Sequence, residues 1–541
     1  MLKYRNLLSH QELIYKQTFG KLKQQQQLRF WASDTTAKIS NEESDFQKQW
    51  SLAKPFEQIP FQGRLAMLMK FLPGGKYAKL DATQLMLALK EDLGDITLLK
   101  GVWGKKDFVC THNPVDFEMV LRNEGVWPER PGQEVLHYYR SVMKKDYYQG
   151  TEGLLSTRGE KWGSFRSAVN PIMMQPKNVR LYINKMSHVN KEFMKRIREI
   201  RDPKTLEVPA TFEEEINRWT LESVSIVALD QQLGLLSENR SDPNAKKIFE
   251  CLTQFFALAY EIEFQPSIWK YYHTPTFKKL IKALDTLQEI VGKYVEEAME
   301  RLEEHKRLGL PEKPDSEKSV LEKLAKIDKK IARVMAIDML MAGVDTTSTT
   351  FTGLLLCLAK NPAKQAKLRE EVLRILPAKD SEFTEDSLKN MPYLRACIKE
   401  SQRIYPLAVG NVRVNKNDVV LSGYQVPAGN QILMISTSVN MDEKHYPRAQ
   451  EYLPERWLRP EQTNENVKLL KPSSPFVFLP FGFGARSCIG RRIVELELEL
   501  GVARLIRNFQ VEFNYPTENA FKALQINVPN IPLTFKFNDV E

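Results

Sequence analysis

The sequence predicts a mainly α fold with small β-sheets, an α+β chain working as one domain. Three observations carry that prediction. Four long runs are amphipathic at helical spacing or apolar throughout, with few internal breakers; β-like stretches are short and confined to two places; no repeat recurs at a solenoid period. The hydrophobic fraction of 42% and charged fraction of 27% are those of a globular protein, which excludes wholesale disorder.

In chain order, residues 1–33 come first. They hold Lys3, Arg5, Lys16, Lys21, Lys23 and Arg29 against one acid, Glu12, so half of the net charge of +10 sits there. No apolar run in them is long enough for a signal-peptide core or a membrane anchor. A basic, nearly acid-free stretch with scattered leucines predicts a mitochondrial transit peptide over 1–33 and a single folded domain over 34–541. The remaining positive charge is modest and dispersed, which excludes a nucleic-acid binder.

Residues 97–110 read as β structure punctuated by Gly101 and Gly104. Residues 180–201, 211–236, 276–308 and 330–359 read as helices. Charged, proline-containing stretches at 310–319 and 471–475 read as exposed loops. Residues 412–435 return to β, with turns at Ser422–Gly423 and Pro427–Gly429. Residues 488–507 read as a last long helix.

The five cysteines form no CxxC pair and lie near no histidine cluster, which excludes a zinc ribbon or disulfide scaffold and indicates a reducing compartment. Cys488 stands apart by its neighbours. Residues 481–490 read Phe-Gly-Phe-Gly-Ala-Arg-Ser-Cys-Ile-Gly, and five fixed residues at that spacing match by chance roughly once in several thousand such chains. A thiolate needs backbone N–H donors and positive charge nearby, and a helix N-terminus favours an anion. Gly484 and Gly490 would let the backbone close in on the sulfur.

The segment resembles the heme-ligand signature F-x-x-G-x-R-x-C-x-G of the cytochrome P450 family, and the resemblance extends over most of the chain after about residue 50. It implies the P450 fold, with heme b (iron protoporphyrin IX) between a long oxygen-binding helix and the cysteine-loop helix. It implies Cys488 as the axial ligand of the heme iron, Phe481 as part of the heme-binding loop, and Arg486 on a heme propionate. Trp162 and Arg166 match the family's W-x-x-x-R, which implies that both contact a propionate; Arg413 is a further propionate candidate by its place. Ala342-Gly343-Val344-Asp345-Thr346-Thr347 matches (A/G)-G-x-(D/E)-T-(T/S). Glycine inside a helix costs about 1 kcal/mol relative to alanine, so Gly343 predicts room for dioxygen, with Asp345 and Thr346 relaying protons. Glu400 and Arg403 match E-x-x-R, and Pro454-Glu455-Arg456-Trp457 matches P-E-R-(aromatic); the resemblance implies a structural ion network of Glu400, Arg403 and Arg456.

The activity implied is insertion of one oxygen atom into a lipophilic small molecule. Gly490-Arg491-Arg492-Ile-Val-Glu495-Leu-Glu497 is similar to the mitochondrial clan, whose members take electrons from an adrenodoxin-type ferredoxin served by an NADPH reductase. Arg395 and Lys399, four apart on one helix face, fall where that clan receives ferredoxin, and Arg491 and Arg492 add to the same partner surface. The pattern over 54–60, 94–104 and 266–280 looks most like insect mitochondrial members, which act on ecdysteroids or clear plant toxins and insecticides; the second role is the expectation here. Aromatic residues over 264–277, with Lys270 and Lys278, predict peripheral contact with the matrix face of the inner membrane. Candidate pocket residues are 336–341, 406–409 and 526–532, all apolar and unspecialised. A peroxide isomerase or a non-catalytic heme binder are the competing readings, and the intact Asp345–Thr346 pair argues against both.

Overall fold

The computed structural model describes residues 45–541 apart from 102–104, 237–242, 266 and 464–465, so the transit-peptide expectation lies outside the described residues. Two compact units emerge. In the small one, residues 45–52 are helical and a hairpin pairs Val419–Leu421 with Tyr424–Val426, its turn made by Ser422 and Gly423 at positive φ. Lys54 pairs alongside Tyr424 and holds its ammonium 5.5 Å from the centre of that ring.

The large unit is built around the helix Lys329–Lys360. It is buried on nearly every side, as expected of a helix apolar all round. Phe212–Ala228, Pro275–Arg307, Val320–Ile327 and Pro392–Ile404 surround it. Trp219 fixes this arrangement. Its indole stacks on Phe193 (5.5 Å between centroids) and meets Phe351 of the central helix at 4.6 Å, while its N–H donates to Asn190 Oδ1 at 2.7 Å. A Cβ on Gly501 would lie 2.5 Å from the same indole, so the helix Arg491–Asn508 packs on it as a glycine-close fourth neighbour.

A four-stranded sheet flanks the helices in the order Ile96–Leu99, Phe108–Thr111, Gln431–Ile435, Gly410–Val414. Its outer pairs are antiparallel and the middle pair parallel. Both expected β regions are therefore present: their outer strands join into one sheet, and the hairpin inside the second region stands as a separate pair.

Two expectations change. The helix read over 211–236 ends at Ala228. Asp230 and Gly234 take positive φ, and the Glu222 carboxylate accepts from the N–H groups of Gly234 (2.6 Å) and Leu235 (3.2 Å), turning the chain back. The 22-residue helix Pro243–Phe264, with Ile248, Phe249, Leu252 and Phe255 on its buried side, was not anticipated.

Candidate active site

The cysteine loop is a tight backbone turn. The Cys488 N–H donates to Phe481 O at 2.8 Å and the Ser487 N–H to Gly484 O at 3.1 Å. Gly482 and Gly484 have φ of +71° and +64°, a region that penalises a side chain, and a Cβ on Gly484 would also run into the Glu124 carboxylate. Gly490 is less constrained, since its Cβ would stand 3.9 Å from Cys488 Sγ. The helix begins at Arg491 rather than at Cys488. The sulfur thus lies just ahead of the helix, where the N–H groups of Gly490 and Arg491 bond to it.

Cys488 is the exposed cysteine among five, yet burial raises its thiol pKa. Arg166 and Arg130 offset the burial with positive charge, the combination that favours a thiolate ligand.

Around this loop the structure gathers guanidinium groups. Arg486 stacks 3.6 Å from the centre of the buried Trp162 ring and donates to Pro128 O at 2.8 Å. Arg166 donates to Ser487 O at 2.9 Å, gripping the residue before the cysteine. Arg413 pairs with Glu124 Oε2 at 2.5 Å and reaches Phe483 O at 3.3 Å. Burial, followed by the charges of Arg130, Arg413, Arg166 and Arg158, pulls Arg486 down to about 9. Arg130 was missed in the sequence, where nothing in Pro128-Glu129-Arg130-Pro131 sets it apart.

Among the described residues the carboxylate paired with this cluster is that of Glu124, one anion for several cations. Enclosed cations that repel one another are costly without a counter-charge. A flat ligand bearing two carboxylates fits, and heme b is such a ligand. Trp162 of the W-x-x-x-R pair is a platform for Arg486, and Arg166 binds the loop backbone.

On the central helix, Thr346 Oγ1 donates to Ala342 O at 2.6 Å, leaving its lone pairs to accept a further proton donor. Asp345 is buried, its Oδ1 has no partner among the described residues, and burial raises its carboxyl to about 7. A Cβ on Gly343 would come 2.8 Å from Val224, so close approach of the helix Phe212–Ala228 gives this glycine a packing reason of its own.

The ion network is present in full. Arg403 grips Glu400 with both arms (2.8 and 3.1 Å), Arg456 Nε donates to Glu400 Oε1 at 3.0 Å, and all three are buried. Two partners went unread: the Trp457 indole (2.8 Å) and the Leu453 N–H (3.0 Å) also donate to Glu400. The spare guanidinium donors hold carbonyls of Asn440, Ala449, Glu451 and Leu470. The network therefore pins residues 440–470 to the helix Pro392–Ile404. It reaches the cysteine loop at second hand, through Trp457 against Phe478 (4.4 Å) and Tyr446 Oη on Val477 O (3.1 Å).

Arg395, Lys399, Arg491 and Arg492 line one cleft of about 360 Å³ together with Phe481. They are not equivalent. Arg395 is held by Glu499 through two bonds of 2.7 and 3.1 Å. Arg491 and Arg492 share Glu495. Lys399 has no ion pair among the described residues, and its ammonium stands 5.9 Å from the Trp457 ring.

Of the expected pocket residues, Ala408 and Val409 line an apolar pocket of about 140 Å³, joined by Leu524 and Gln525 just before the 526–532 turn. Residues 336–341 do not line it: they are buried, and Asp338 forms an ion pair with Arg140 at 2.7 Å. In the 264–277 stretch Phe264, Ile268, Tyr271 and Tyr272 are exposed, whereas Trp269 and Phe277 belong to the core.

No described helix is long and apolar enough to cross a membrane. Cytochrome P450 CYP12A2 of Musca domestica is 65% identical over 497 residues, 91% of this chain and 93% of that one. Probable mitochondrial cytochrome P450 12a5 of Drosophila melanogaster is 56% identical over 518 residues, 95% and 96% of the two chains. Probable mitochondrial cytochrome P450 12d1 proximal of the same fly is 45% identical over 488 residues, 90% and 92%. With the family model for cytochrome P450 matching residues 62–537 as well, this chain belongs to the cytochrome P450 family, whose enzymes are heme-dependent monooxygenases.

Proposed function

We propose that the chain is a mitochondrial monooxygenase fed by an adrenodoxin-type ferredoxin and its NADPH reductase, oxidising lipophilic plant toxins or insecticides rather than an ecdysteroid. The observation that carries the electron-donor reading is the basic cleft beside the cysteine loop, where Lys399, Arg491 and Arg492 meet Phe481. An acidic partner docking there would stand close to Cys488. Mitochondrial placement, with residues 1–33 as transit peptide and 34–541 as the working domain, is supported by relatives that are named mitochondrial. Contact with the matrix face of the inner membrane is supported by the exposed Phe264, Ile268, Tyr271 and Tyr272 beside Lys270.

Heme bound through Cys488 supplies the oxygen-activating chemistry. The protein's own residues do the rest. Cys488 gives the sulfur ligand; burial raises its pKa, and the N–H groups of Gly490 and Arg491 and the charge of Arg166 act against that rise in favour of the thiolate. Arg486, Arg130 and Arg166 seat the propionates. Asp345 holds a proton on its carboxyl near neutral pH and can release it, and Thr346 Oγ1, anchored on Ala342 O, can pass it to the reacting oxygen.

Reduced protein treated with carbon monoxide should show a thiolate-type Soret band, lost in Cys488→Ser. Ferredoxin and its reductase should then support NADPH-dependent oxidation of plant toxins or insecticides; turnover that only a membrane flavoprotein supports, or that favours ecdysteroids, would overturn the finer reading. Thr346→Ala should keep the spectrum and divert reducing equivalents to peroxide or water; product yield per NADPH equal to the parent would remove Thr346 from the relay.

A further inference from the structure

The pocket behind Ala408 and Val409 is apolar over most of its wall, with Met67, Leu85, Met86 and Phe108 among its lining. Polar side chains gather at one end of it, Lys100, Lys105, Lys106, Glu263 and Gln525, and among them Lys105 is half-buried. Lys105 lines the pocket, and burial draws its ammonium down to about 8. Two of its three N–H groups are accounted for: they go to the carbonyls of Ile262 (2.9 Å) and Gln265 at the end of the helix Pro243–Phe264. The third has no partner among the described residues, and no described carboxylate comes within ion-pair distance.

The nearest acid, Glu263, is turned to other work. It accepts from the N–H groups of Gln133 (2.7 Å) and Val135 (3.3 Å), and burial raises it to about 7. Glu134 is held by Lys270 at 2.6 Å. The Lys105 backbone is also fixed, because Gly101 abuts its carbonyl too closely for any side chain, and Asp107 bonds both the Gly101 N–H (2.9 Å) and Lys100 (3.0 Å). A fixed ammonium with one unspent donor, at the polar end of a pocket whose remaining wall is mostly apolar, suits a guest with one oxygen acceptor and a hydrocarbon body.

We propose that this pocket selects lipophilic substrates carrying an oxygen acceptor, a carboxylate or an ester or ether oxygen, at one end, and that Lys105 is the residue that reads it. The acceptor end is held away from the cysteine loop. Along the strand Gly410–Val414, Gly410 and Val412 face the pocket, whereas Asn411 lies against Gly482 and Arg413 reaches Phe483 O. The pocket and the cysteine loop thus lie on opposite faces of one strand.

The inference rests on the monooxygenase reading, so the test measures binding separately from turnover. Dodecanoic acid, its methyl ester and dodecane would be titrated into the heme-loaded protein, following the Soret shift. The parent should bind the acid and the ester at least about tenfold more tightly than the alkane. Lys105→Met should erase that preference with the carbon-monoxide spectrum intact, and Lys105→Arg should retain part of it. A preference confined to the acid would assign charge rather than hydrogen bonding as the discriminating force, with Lys105 still its source. No preference in the parent, an undiminished preference in Lys105→Met, or equal weakening of all three ligands (a helix cap and nothing more) would overturn it. Loss of the thiolate spectrum or of ferredoxin-supported turnover in the parent would instead count against the functional reading.

Discussion

Asp345→Asn isolates the cost of keeping an ionisable acid inside the central helix. The carboxyl rises from 3.8 to about 7, chiefly by burial. An acid whose folded pKa is raised stabilises least when ionised, so folding stability is highest below the unfolded pKa and falls as pH climbs towards the folded one. At about 1.4 kcal/mol per unit, the penalty approaches about 4 kcal/mol at pH 8 and is about 2 kcal/mol at pH 5. Asparagine has nearly the same shape and no charge to bury. Urea unfolding of heme-loaded parent and variant at both pH values should therefore show the variant gaining about 2 kcal/mol more at pH 8 than at pH 5. The gain comes with a loss, since the amide cannot hand on a proton, and product formed per NADPH should fall. Parallel stability profiles across that pH range would refute the reasoning, because they would mean that Asp345 is not the buried ionising group described.

Other perturbations separate roles that the sequence alone merges. Arg456→Ala leaves Glu400 buried with one cation fewer and strands three carbonyls, a loss on the order of 3–5 kcal/mol; the heme content of purified protein, read at the Soret band, should collapse. Trp219→Ala removes the indole shared by four helices and should cost about 3–5 kcal/mol, lowering the thermal midpoint while the spectrum of the folded fraction stays thiolate-type. Lys399→Gln should raise the KM for ferredoxin several-fold and leave stability within about 0.5 kcal/mol, whereas Arg395→Gln should chiefly lower stability because Glu499 loses its partner; ferredoxin titrations and melting curves on both variants check the contrast.

Legibility in the sequence follows the range of the interaction. The Cys488 loop, the Glu400–Arg403 pair and the acid–alcohol pair are readable because their chemistry is set by residues a few positions apart, and membership in the cytochrome P450 family follows from such motifs. Arg395 looks like any basic residue on a helix face until Glu499, 104 positions on, is seen to hold it. Gly343 suggests space for a ligand, and only Val224 across the helix contact shows what the missing side chain avoids. The helix from Phe212 stops early because Glu222 captures N–H groups beyond its end, a competition that periodicity cannot register. Arg130 carries no local mark, since its meaning comes from cations delivered by three other segments.

The strand Gly410–Val414 has a consequence for how such an enzyme can change its diet. Because neighbouring residues point to opposite sides, a substitution at Val412 reshapes the chamber that greets the guest, while one at Arg413 forfeits Glu124 and the loop behind it. Under the proposed reading, alternate positions of this single strand separate selection of the guest from support of the cysteine loop, and the two sets of positions are free to vary at different rates.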